Sequence, residues 1–193
     1  MQRITKVKTI DISSKIFKTL DEAIKKADAL KKYLEYQLEK GGYDCLLYMC
    51  VSENDINYGT TTTGFRGKRV FEEYGLGRRI VPPHIHMIMV GNPGETIVKL
   101  IRKYFEKYKS IIQVDEIVWV DDCEDRIDDK VKYMIKQETT FRVVDKGNRN
   151  NLEPFATELR ESLEKWNAAI GNPKKVFYDK KWVVEKIWHK KPK

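Results

Sequence analysis

The 193-residue chain carries 37 Lys and Arg against 29 Asp and Glu, a formal charge of +8, and 41% of its residues are apolar. That apolar share supports a packed globule and excludes a wholly disordered chain. The positive balance favours a polyanionic partner, and no apolar run approaches the ~20 residues of a membrane-spanning helix.

Residues 5–12, TKVKTIDI, alternate in polarity and predict a first strand. TLDEAIKKADALKKYLEYQLEKGG (19–42) predicts a helix whose apolar face is Leu20, Ala23, Ala27, Leu30, Leu34 and Leu38. Thr19 is placed to cap it, with Glu22 completing a capping box, and Gly41–Gly42 stop it. YDCLLYMCVSEN (43–54) predicts a central strand, and DINYGTTTTGFRGKR (55–69) a polar loop with a basic end. RVFEEYG (69–75) fits a short strand or a helical turn, and HIHMIMVG (84–91) a strand. NPGETIVKLIRKYFEKYKS (92–110) predicts an amphipathic helix, IIQVDEIVWVDD (111–122) a strand, and DRIDDKVKYMIKQETTF (125–141) a helix with an acidic start. The order β-α-β, loop, β-α-β, then α predicts an α+β fold: a central antiparallel sheet flanked by helices, ferredoxin-like or RRM-like. KGNRNN (146–151) reads as a linker, so the expected organisation is a domain over 1–145 and an extension over 146–193. That extension starts with a helix over 153–171 and ends in a basic tail bearing Trp182 and Trp188. The tail suits duplex DNA or packing against the first domain.

Cys45, Cys50 and Cys123 are odd in number and form no CxxC pair, and MQRITKVKTIDISSK lacks the apolar core of a secretion signal. Free thiols in a reducing cytoplasm are expected, two of them on a buried strand.

Two of the three histidines, His84 and His86, are one residue apart on a predicted strand. Residues i and i+2 of a strand project to one face, so both imidazoles aim together while Ile85, Met87 and Met89 face the other way. Such a pair suits a divalent metal; the plain alternative is two surface histidines on an edge strand. In KYMIKQ (132–137), Tyr133, Lys136 and Gln137 share one helical face, and Val131, Met134 and Ile135 suit the core. A tyrosine phenolate is a competent nucleophile, and an ammonium such as Lys136 favours it against a phenol pKa of about 10. Taken alone, the same face is an ordinary solvated one.

Together, HIH (84–86) and YMIK (133–136) resemble the HUH endonucleases, in which a His-hydrophobic-His strand precedes a helix bearing the nucleophilic tyrosine. YMIK is similar to the Tyr-x-x-Lys motif of rolling-circle replication initiators. CLLYMCVSEN (45–54) matches their first motif in position and character but not in letters. In conjugative relaxases the tyrosine comes before the histidines; here it follows them. The resemblance covers about residues 5–141. It implies a nick in single-stranded DNA or an origin hairpin, with Tyr133 as nucleophile, Lys136 beside it, and a 5′-phosphotyrosine intermediate. It implies Mg²⁺ or Mn²⁺ on His84, His86 and a third ligand, either Gln137 or one of Glu72 and Glu73. It further implies host replication proteins as partners and no membrane. DNA contacts are expected from Arg66, Lys68, Arg69, Arg78 and Arg79, with Phe65, Phe71 and Tyr74 as stacking groups; a solvated basic loop is the alternative. Gln137 also fits a single-tyrosine transposase, although a long tail is unusual there. A non-catalytic ferredoxin-like nucleic-acid-binding module would leave the histidines incidental.

Overall fold

The computed structural model describes residues 4–52, 83–110, 113–137 and 141–170. Within them, five strands form one sheet in the order β4-β1-β3-β2-β5: β1 Lys6–Ile12, β2 Asp44–Ser52, β3 His84–Asn92, β4 Val118–Asp122 and β5 Arg142–Lys146. All four pairings are antiparallel. The α+β expectation holds, and the order β4-β1-β3-β2 over a β-α-β-β-α-β path is compatible with a ferredoxin-like arrangement. β3, which carries the histidines, is the central strand.

Helix α1 (Leu20–Gly41) forms where the sequence predicts it. Thr19 accepts a hydrogen bond from the Glu22 N–H at 3.2 Å. The Glu22 carboxylate reaches back to the Lys18 N–H at 2.9 Å, one residue before the cap. Gly42 ends the helix at φ 59°, a left-handed conformation that costs glycine little. Ala23, Ala27, Leu30, Leu34 and Leu38 are all fully buried, so this stripe faces the sheet.

Helix α2 (Gly94–Phe105) buries Ile97, Val98, Ile101 and Phe105 beside α1. α1 and α2 share one apolar cluster with Ile10, Ile12, Leu47, Met49, Ile85, Met87 and Met89 on one sheet face. A second cluster covers the opposite face. It joins Val7, Leu46, Ile88 and Val90 to helices α4 (Ile127–Gln137) and α5 (Phe155–Ile170) through Val131, Met134, Ile135, Leu159 and Leu163. β3 therefore sends alternate side chains into two cores, and the histidine parity points to the α4–α5 side.

The structure departs from the sequence-based expectation at three places. Val114–Ile117 form a single helical turn, α3, so β4 starts only at Val118. Asp115 and Glu116 sit in that first turn, where carboxylates favour a helix start. The helix expected through residue 141 ends at Gln137, and Arg142–Lys146 instead form β5 along the edge of β2. Pairing there covers β2 backbone groups that would otherwise form a sheet edge. The expected linker is also held down: Gly147 turns at φ 83°, and Asp44 accepts hydrogen bonds from the Asn148 N–H and the Asn151 side-chain amide, both at 2.7 Å. The boundary expected after residue 145 falls inside β5, and Leu152, Ala156, Leu159 and Leu163 bury against the sheet. The tail beyond residue 170 lies outside the described residues.

Candidate functional site

Directly opposed residues of antiparallel strands share a face. Trp119 of β4, Asp11 of β1, His86 of β3 and Cys50 of β2 thus form one lateral row, and His84 stands opposite Ser52 on the same side. The histidines lie on the interior strand, 8% and 5% exposed, which excludes the surface edge pair. Ile85, Met87 and Met89 fill the other core as the strand period requires.

The two imidazoles converge. Their Nε2 atoms are 2.8 Å apart, with the ring planes at 87°. Two nitrogens at that distance share either one proton or one cation. Two donors each about 2.1 Å from an octahedral ion, at right angles, stand about 3.0 Å apart, so the pair fits two adjacent positions on one divalent ion. On its other side, His86 Nδ1 lies 2.7 Å from Asp11 Oδ1. Lys130 of α4 reaches the same carboxylate, with Nζ 3.0 Å from Oδ1 and 3.3 Å from Oδ2. Burial pushes the Asp11 carboxyl up, but the His86 hydrogen bond and the Lys130 ammonium outweigh it and hold the group below the usual carboxylate range.

Tyr133 comes to the same place from α4. Its ring centroid is 5.2 Å from that of His86, edge to face, and Lys130 Nζ is 5.4 Å from the ring centre. Val131, Met134 and Ile135 anchor the helix in the core, as their spacing predicts, while Tyr133 stays 38% exposed. An open pocket of about 360 Å³ lies beside it, walled in part by Asp11, Cys123, Arg126 and Lys130. Tyr133, the cations Arg126 and Lys130 and the carboxylates Asp11, Asp121 and Asp129 therefore border space that a ligand can enter, with His86 behind Asp11 and Tyr133.

Of the residues singled out by sequence, His84, His86 and Tyr133 are brought together. Lys136 and Gln137 lie in the last turn of α4, and their side chains are outside the described set. Glu72, Glu73, Arg66, Lys68, Arg69, Arg78 and Arg79, with Phe65, Phe71 and Tyr74, lie outside the described residues altogether. Among the described residues, no group of three or more His, Cys, Asp or Glu is arranged around a metal position.

Sequence reasoning missed Asp11 and Lys130. Asp11 continues the polar–apolar alternation of β1 between Ile10 and Ile12 and so carries no local signal of its own; its partner is 75 residues away. Lys130 stands one turn before Tyr133, in a helix rich in charge. Searches against protein-family models, curated proteins and solved structures found no match to this chain.

Proposed function

We propose that this chain is a metal-dependent nickase and strand transferase for single-stranded DNA, of the HUH kind. It would act as a rolling-circle replication initiator in a reducing cytoplasm. One observation carries the reading: Tyr133, which borders an open pocket, lies 5.2 Å at ring level from His86, whose Nε2 is 2.8 Å from that of His84, although the tyrosine and the histidines are far apart in sequence. Tyr133 is the nucleophile. Its phenol loses a proton, the oxygen bonds to phosphorus, the bond from phosphorus to the 3′ oxygen breaks, and the released oxygen is protonated. The products are a 5′-phosphotyrosine and a free 3′-hydroxyl, and reversal rejoins the strand without a nucleotide cofactor. Lys136 favours the phenolate and steadies a phosphate oxygen. When bound by His84 and His86, with Gln137, Glu72 or Glu73 as oxygen ligand, Mg²⁺ or Mn²⁺ supplies polarisation of the scissile phosphate and offsets its growing charge. Arg66, Lys68, Arg69, Arg78 and Arg79 hold the backbone of the strand or of an origin hairpin. Host replication proteins then use the 3′ end.

A labelled, sequence-randomised single-stranded DNA pool incubated with protein and Mn²⁺ tests this. Wild type forms a labelled species that survives a denaturing gel; Tyr133→Phe forms none, and His84→Ala is reduced at least 100-fold, as about 2.7 kcal/mol of lost transition-state stabilisation implies.

A second reading is a non-catalytic nucleic-acid-binding module. It is favoured by the direct 2.8 Å contact between the histidines and by the lack of a third ligand among the described residues. It predicts binding of the same DNA with no covalent species under any metal. A single-tyrosine transposase would share the adduct but require a tyrosine helix exchanged between two copies.

A further inference from the structure

Asp11 makes two contacts with one carboxylate, and they run to different elements. His86 Nδ1 on β3 is 2.7 Å from Oδ1, and Lys130 Nζ on α4 is 3.0 Å from the same oxygen. Asp11 stands directly opposite His86 in the β1–β3 register. Lys130 precedes Tyr133 by one helical turn and leaves only 15% of its side chain exposed. A single residue therefore touches both the histidine strand and the tyrosine helix.

A neutral imidazole carries one proton on one of its two nitrogens. An ionised carboxylate accepts and cannot donate, so Asp11 selects the form of His86 with the proton on Nδ1. The Nε2 lone pair then faces His84 Nε2. The other tautomer would put a proton where a cation must bind. Neutralisation of Lys130 accounts for one contact of Asp11 but not for the other. An ammonium is served by a carboxylate in many orientations, whereas only an acceptor at Nδ1 fixes the ring.

We propose that Asp11 is the positioning residue of this site: it holds His86 in the tautomer that offers Nε2 to a divalent cation and, through Lys130, fixes the tyrosine helix at the same point. The proposal rests on the metal-site reading of the histidine pair.

Imidazole nitrogen NMR on the metal-free protein reads the tautomer, and electron paramagnetic resonance of free Mn²⁺ reads the affinity without any turnover. In wild type, His86 carries its proton on Nδ1. In Asp11→Ala, that signature is lost and Mn²⁺ binds about 10–100-fold more weakly. Asp11→Asn keeps an oxygen acceptor at the same place and so retains the tautomer and most of the affinity. Lys130→Met leaves both near wild type and slows only adduct formation. The double variant Asp11→Ala/Lys130→Met avoids stranding a buried ammonium and must show the same Mn²⁺ loss, which guards against a folding defect in the single one. Unchanged tautomer and Mn²⁺ affinity in both Ala variants overturns the assignment. A wild type that takes up no Mn²⁺ while His86 keeps its proton on Nδ1 overturns the metal-site reading instead, and with it the purpose given to Asp11.

Discussion

At the residue scale, the site is a small set of side chains whose local surroundings set their chemistry. His84 and His86 were legible because strand parity is a local property: two imidazoles at i and i+2 need no knowledge of the fold. Asp11 was not, because its role depends on a cross-strand register, and nothing within a few residues of it announces the partner. The three thiols give a second residue-scale test. Cys45, Cys50 and Cys123 are all at most 1% exposed, and burial pushes the Cys45 and Cys123 thiols up. A buried, protonated thiol is inert. In the native protein Cys45 should therefore react with a disulfide reagent only at the rate of opening, and promptly in denaturant. Fast stoichiometric labelling of Cys45 under native conditions would contradict the packing described for β2.

At the scale of elements, α4 carries Tyr133 and α5 holds α4. The Asp128 carboxylate accepts from Ser162 Oγ at 2.7 Å, Trp166 Nε1 at 2.9 Å and Lys165 Nζ at 2.9 Å, three donors from one helix. Burial pushes this carboxyl up, but the bonds from Lys165, Ser162 and Trp166 hold it below the usual range. A carboxyl depressed by folding stabilises fully above its unfolded pKa of about 3.9, and that contribution is lost as pH falls through the lower folded value. Asp128→Asn should therefore lower Tm by roughly 2–4 °C at pH 7, for about 1 kcal/mol in a half-exposed network. The gap from wild type should narrow below about pH 4. An equal gap at pH 7 and pH 2.5 would assign the loss to packing rather than to charge. On the other face, Leu34→Ala should cost about 2–5 kcal/mol, measured by denaturant unfolding, because Leu34 is fully buried under the sheet. α1 was readable from its cap, its stripe and its glycine stop, all of which are local. β5 was not, because RVVDK is short and follows a helix without a strong turn signal, and its stability comes from pairing with β2. The turn at Val114–Ile117 was hidden for a related reason: its β-branched residues favour a strand, and tertiary packing of Ile117 decided otherwise.

At the scale of the whole molecule, a sheet with two packed faces sets one core against α1 and α2 and the other against α4 and α5. The site lies at the border of the second core, where β1 and β3 run beside α4. The charge of +8 should appear as salt dependence of single-stranded DNA binding, with a slope of about −0.7 per neutralised phosphate. Replacing Arg66, Lys68 and Arg69 together by Ala should flatten that slope by about 2 if those residues hold the strand. An unchanged slope would move the contacts elsewhere. The meeting of Tyr133 with His86 was expected only through the family resemblance that the two motifs carry together, since either motif alone fits an ordinary strand or an ordinary helix face.

The central claim is that Tyr133 becomes covalently joined to DNA. Its most direct measurement is mass spectrometry of the adduct after digestion of the DNA and cleavage at lysines, which releases Tyr133–Lys136 as the tetrapeptide YMIK. The account predicts that YMIK carries a 5′-nucleotide on its phenol oxygen in the presence of Mn²⁺ and is bare without a divalent ion. A nucleotide found on another residue, or an unmodified YMIK from protein shown to have nicked the DNA, would contradict it.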